Sequence, residues 1–153
     1  MHAYYMHLHC EDFMLIIKHT LQTHARICDI WHIWEDVNNW NTWDHGLEYS
    51  TINGPFIEGA TGNLQPKGGP RLGTRLTAVE PQKMFVVESR LFLARIIVSH
   101  YVTESAGKTE VTHQVEINGP LAFLYANLIG RGMKRNLPQE MQAMVKQAES
   151  RNC

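Results

Sequence analysis

Residues 99–114 read SHYVTESAGKTEVTHQ. Two runs that alternate apolar and polar residues flank a small turn, SAGK at 105–108. That pattern predicts an antiparallel hairpin with one face buried. With SAGK as the loop, Val102 opposes Val111, His100 opposes His113, Val98 opposes Val115 and Ile96 opposes Ile117. The other face pairs Tyr101 with Thr112, Ser99 with Gln114 and Ile97 with Glu116. One face is therefore apolar apart from two histidines, and the other is mostly polar. A slip by one residue would scramble that segregation, because strand side chains alternate with period two.

The same reading extends outward. Joining residues 91 and 96 puts Leu91, Ser89, Val87 and Phe85 on the apolar face. Joining 79 and 84 adds Ala78, Leu76, Thr74 and Leu72. Turn signals at NGP (53–55), PKGGP (66–70) and EPQK (80–83) separate strands predicted near 46–52, 58–65, 71–79, 84–91, 95–103 and 109–117. Consecutive strands with short links form an antiparallel meander. Ahead of it, MLIIKHTLQ at 14–22 is a further strand with Leu15, Ile17, His19 and Leu21 on one side. Ile27, Ile30, Trp31 and Trp34 recur at helical spacing, and Trp40 and Trp43 follow on a second short helix. After residue 120 the helical period returns. Leu121, Leu124, Tyr125, Leu128 and Ile129 make an apolar face that Met133, Leu137, Met141, Met144, Val145 and Ala148 continue, with Gly130, Gly132 and Pro138 expected to bend it.

Bulk properties narrow the class. One domain is expected over 14–150, preceded by a poorly ordered leader at 1–13 in which His2, His7, His9 and Cys10 carry no site. The 14 Lys and Arg nearly balance 15 Asp and Glu, so no field of one sign draws nucleic acid or an acidic membrane surface. Arg131, Lys134 and Arg135 read as a solvated helix face. No apolar run reaches the roughly 18 residues of a membrane span. The 3 cysteines, Cys10, Cys28 and Cys153, are odd in number and scattered to the last residue, which is not a disulfide framework and fits a reducing cytoplasm. Phosphate-loop, GxSxG, HExxH and CxxC motifs are absent.

Three stretches together, WHIWEDVNNWNTWD (31–44), INGPFIEGATGNLQPKGGP (52–70) and SHYVTESAGKTEVTHQVEINGPLAFL (99–124), resemble the polyketide cyclase/dehydrase branch of the START-like (SRPBCC, Bet v 1-like) superfamily. The likeness runs from about Ile16 to Ala148. It implies an α+β helix-grip fold: a seven-stranded antiparallel sheet wrapped around a long C-terminal helix, with two short helices after the first strand. It also implies that the first strand lies beside the last, bringing His19 near His113, and that a cavity between sheet and helix receives an apolar small molecule. The superfamily hosts many activities on one scaffold, so fold is better specified than function.

The expected pocket lining is Leu72, Thr74, Leu76, Phe85, Val87, Ser89, Leu91, Val98, Val115, His19, Tyr125, Leu128 and Met133, with His100 and His113 as the polar centre. A neutral imidazole offers one donor and one acceptor, enough to hold a carbonyl or hydroxyl or to move a proton. The leading expectation is binding or transport of a lipid, polyketide, quinone or similar aromatic, without a cofactor, a nucleic-acid partner or an integral membrane segment. The alternative is a polyketide cyclase or dehydratase using His100 and His113 as general acid and base. A zinc-like cluster of His19, His100 and His113 and an interaction surface built on Trp40 and Trp43 complete the readings.

Overall fold

The computed structural model describes residues 14–153, so the expectations for residues 1–13 lie outside the described residues. The chain runs β1 (Met14–Thr23), α1 (Ile27–Glu35), a 3-10 helix (Val37–Thr42), β2 (Leu47–Ile52), β3 (Thr61–Pro66), β4 (Leu72–Glu80), β5 (Met84–Leu91), β6 (Ala94–Ser105) and β7 (Lys108–Asn118). It ends in α2 (Ala122–Tyr125), a π-helical turn (Ala126–Gly130) and α3 (Arg131–Glu149), which run on from one another as one C-terminal helical segment. The strands form one 7-stranded antiparallel sheet in the order β1-β7-β6-β5-β4-β3-β2. The meander puts β2 at one edge, and β1 returns to pair with β7 at the other. This is the helix-grip arrangement.

The β6–β7 hairpin has the expected register throughout, including His100 opposite His113. Its loop is shorter than SAGK. Ser105 pairs with Lys108, leaving the tight turn Ala106–Gly107 with both residues at positive φ (51° and 76°). At the β5–β6 hairpin, Leu91 pairs with Ala94, not with Ile96. That displacement is an even number of residues, so the inward face keeps the expected set. A β-bulge between Leu76 and Ala78 changes β4: beyond it Val79, not Ala78, faces Phe85 and packs on the core. A bulge adds one residue to one strand and so inverts the alternation past that point.

Helix α1 buries Ile30, Trp31, Ile33 and Trp34 against the concave face. Helix α3 buries Leu137, Met141, Met144, Val145 and Ala148, a three-to-four spacing that sets one stripe on the sheet. The helix passes through Pro138 without ending. Its first half departs from expectation. Leu124 and Leu128 are exposed rather than inward, and Leu128 is 69% exposed. The departure begins at Leu124, ahead of the π turn, which then widens the helix over 126–130 and shifts the phase of the residues after it.

Cys28 and Cys153 are joined in a disulfide that closes a sequence separation of 125 residues. The bond ties the start of α1 to the segment after α3, and it corrects the expectation that the scattered cysteines form no disulfide. Disulfides persist in oxidising surroundings, so the cysteines no longer support a cytoplasmic location. Among the described residues no helix is long and apolar enough to cross a membrane.

Candidate functional site

Three strands converge on the histidine pair. β5 contributes Phe85, β6 contributes His100 and β7 contributes His113, which sit in cross-strand register. The Phe85 and His100 rings stack at 4.0 Å with 5° between planes. The two imidazoles meet edge to face at 4.4 Å. Trp34 of α1 closes over them, 5.8 Å from His100 and 5.9 Å from His113, and 5.3 Å from Phe85. Its indole N–H points at Met144 Sδ on α3, 3.1 Å away. Trp40 lies 6.4 Å from His100, and Trp43 lies 6.2 Å from His113. The tryptophan-rich stretch is therefore the lid of an aromatic cage. Trp40 and Trp43 are both buried, which removes the exposed interaction patch expected of them.

This setting decides the protonation state. Removal from water, then the charge of His113, holds His100 well below its ordinary value of 6.5. Removal from water, then the neighbouring His19, lowers His113 to about 3. Both rings are neutral at pH 7, because an imidazolium in this cage would lose its hydration without a counter-ion. His100 Nδ1 and His113 Nε2 are buried and have no hydrogen-bond partner within the protein. Most buried polar atoms do have one, so two orphans side by side call for an explanation.

Opposite His113 on β1 stands His19, as the resemblance implied. The three ring systems do not converge as a ligand set. Among the described residues, the grouping close enough to share a metal is Cys28, Asp29 and Cys153, and there the two sulfurs are bonded to each other.

The expected pocket lining separates into groups. Leu76, Phe85, Val87, Ser89 and Val115 are buried on the concave face. Leu72, Thr74, Leu91, Val98, His19, Tyr125 and Met133 are half-buried around it. Leu128 is excluded by its exposure. Thr74, Leu76 and Val87 border a void of about 10 Å³, with Trp40, Ile52 and Leu64 on the other side. That is room for about one water. A larger cleft, about 300 Å³, opens on the far side of Trp43, between the 3-10 helix and the end of α3, lined by Asp36, Asn39, Gln147 and Arg151 among others. Trp43 lines this polar cleft and also lies against the ring of His113.

A second titratable pair was not visible in the sequence. Asp44, just after the 3-10 helix, meets Glu140 of α3. Burial raises Asp44, while burial and then the charge of Asp44 push Glu140 up to about 8. The residues are too far apart in the chain for spacing to signal their meeting.

The profile of the family described as "Polyketide cyclase / dehydrase and lipid transport" matches residues 14–149. The chain belongs to that family. No curated protein sequence matches it. Among solved structures, norcoclaurine synthase from Thalictrum flavum, in complex with dopamine and hydroxybenzaldehyde, superposes with a TM-score of 0.70 at 14% identity, over 93% of this chain and 91% of that one. The Zhui aromatase/cyclase from a Streptomyces species gives 0.72 at 14% identity, over 90% and 94%. Ara h 8.0201 gives 0.68 at 8% identity, over 91% and 100%. At these identities the likeness is one of fold.

Proposed function

We propose that the protein binds one hydrophobic small molecule, of the lipid, polyketide, quinone or aromatic kind, between the sheet and the C-terminal helix. The orphaned nitrogens His100 Nδ1 and His113 Nε2, set in an apolar aromatic wall, carry this reading. A ligand carbonyl or hydroxyl would give them the partner they lack. Family membership supports the class of ligand. The cage is closed as it stands, so binding requires Trp34 and the helix behind it to yield. The π turn at Ala126–Gly130 is where that helical segment departs from regular form.

The acid–base alternative is weaker on one specific ground. A general base works best near the operating pH, and a ring at about 3 is almost never able to keep a proton at neutrality. A screen of lipids, quinones and polyphenols by thermal shift, followed by native mass spectrometry, tests the binding reading. A saturable ligand whose affinity drops in His100→Leu and His113→Leu is expected. Failure of every apolar class to raise the melting temperature would remove the proposal.

A further inference from the structure

The net charge of the chain is balanced, yet the fold does not spread it evenly. Between Glu88 and Glu104 the sequence has no carboxylate, and between Glu116 and Glu140 there is none. These two stretches meet in space. The Leu121 N–H donates to Leu93 O at 3.1 Å, and the Tyr125 hydroxyl donates to Phe92 O at 3.2 Å. The β5–β6 turn is thereby fastened to the start of the C-terminal helical segment.

That junction is apolar and open. Phe92 is 74% exposed, and Leu93, Phe123, Leu124 and Leu128 are exposed beside or beyond it. The turn itself is unusual. Leu91 pairs with Ala94, so Phe92–Leu93 is a two-residue hairpin turn, a place that favours Asn and Gly. Leu93 takes a left-handed φ of 52°, a conformation that costs a leucine energy. The next hairpin of the same sheet uses Ala106–Gly107 instead. Two large apolar side chains are thus held out in water at a site where small or polar residues would cost less.

Basic residues flank this junction in the sequence, Arg95 just after the turn and Arg131, Lys134 and Arg135 further along the helical segment. Arg95, Arg131, Lys134 and Arg135 are all exposed, and among the described residues none forms an ion pair. Along the helical segment the exposed apolar residues Phe123, Leu124, Leu128 and Ile129 come first, and the exposed basic residues Arg131, Lys134 and Arg135 follow.

We infer that this pole docks on an anionic lipid bilayer, with Phe92 and Leu93 entering the interface and the basic residues meeting headgroup phosphates. A second copy of the chain is a poor occupant, because a symmetric contact would bring like charges together. A nucleic acid would satisfy the basic residues but leave the apolar tip in water. An anionic bilayer satisfies both. Arg131, Lys134 and Arg135 are exposed, as expected of a solvated helix face, and the bilayer is what that face would meet. It stands apart from the interior ligand, and a failure of either leaves the other untouched.

Flotation with vesicles of phosphatidylcholine alone, or mixed with phosphatidylglycerol, tests it. The protein should float with the mixed vesicles and release them as salt rises. Arg131→Gln, Lys134→Gln and Arg135→Gln should each weaken binding about fivefold. Phe92→Ser with Leu93→Asn should weaken it by about tenfold or more. Leu93→Asn alone should keep or raise the melting temperature, since asparagine accepts the left-handed backbone; this separates lost docking from lost folding. Absence of binding to mixed vesicles overturns the inference. So does binding that ignores salt and these substitutions, binding of duplex nucleic acid in place of vesicles, or a dimer that Phe92→Ser dissociates.

Discussion

The buried histidine pair makes a quantitative claim about acid. Unfolded, each imidazole takes a proton near 6.5, whereas folded His113 does so only at about 3 and His100 well below 6.5. Between those limits the unfolded chain binds more protons, so folding stability is full above about 6.5 and falls as pH falls. For one ring that stays neutral in the folded state, the loss from pH 7 to pH 5 is about 2 kcal/mol. The pair together loses about 4 kcal/mol over that range. Urea unfolding followed by tryptophan fluorescence reads this directly. With a slope of about 2 kcal/mol per molar, the midpoint should drop by about 2 M. The Asp44–Glu140 pair acts in the opposite sense, because its raised carboxyls become easier to bury as pH falls. The decisive quantity is therefore the difference between the natural protein and His100→Leu/His113→Leu, whose leucines fill similar space without titrating. That variant should lose most of the acid sensitivity. If both proteins lost the same stability between pH 7 and pH 5, the cage would not be holding its rings neutral, and the account of the site would fail.

Four further outcomes follow from the same structure. Trp34→Ala removes a fully buried ring at the centre of the cage and should cost about 3–5 kcal/mol in the same urea assay. Reduction of Cys28–Cys153, or Cys28→Ser, should lower unfolding free energy by up to about 5 kcal/mol, given the long loop that the bond closes; alkylation before reduction should label neither cysteine. Glu140→Gln should raise the melting temperature at pH 8 and progressively less toward pH 4.5, because the cost of the natural carboxyl grows as pH climbs above its unfolded value and levels off past its folded value of about 8. Gly62→Ala should destabilise markedly, since a Cβ there would lie 1.9 Å from the Thr51 carbonyl oxygen, and backbone rather than a flexible side chain would have to move to open the β2–β3 pairing.

Much of the sheet is written locally. Alternation along β6 and β7 assigns each residue to a face, and the pairing of His100 with His113 follows from the turn between them. Errors of turn length survived wherever they were even, as at Leu91 and Ala94, because parity alone sets the face. Where one extra residue entered, as at the β4 bulge, the alternation pattern gave Ala78 and the fold uses Val79. A bulge depends on how neighbouring strands twist together, and no window of one strand contains that information.

The sequence by itself determined the meander, the inward faces and the presence of two histidines among apolar residues, because period-two and period-3.6 patterns are properties of the backbone. Only the tertiary structure decided what those residues do to each other. It placed Trp34, Trp40 and Trp43 over the imidazoles, which strips them of water and keeps them neutral. It left Leu124 and Leu128 outward, joined Cys28 to Cys153 and brought Asp44 to Glu140. It also fastened the exposed turn Phe92–Leu93 to the start of the C-terminal helical segment, where Phe123 and Leu124 are exposed as well. Burial, dielectric and the neighbourhood of distant segments are three-dimensional quantities, and they set the chemistry of each of these groups.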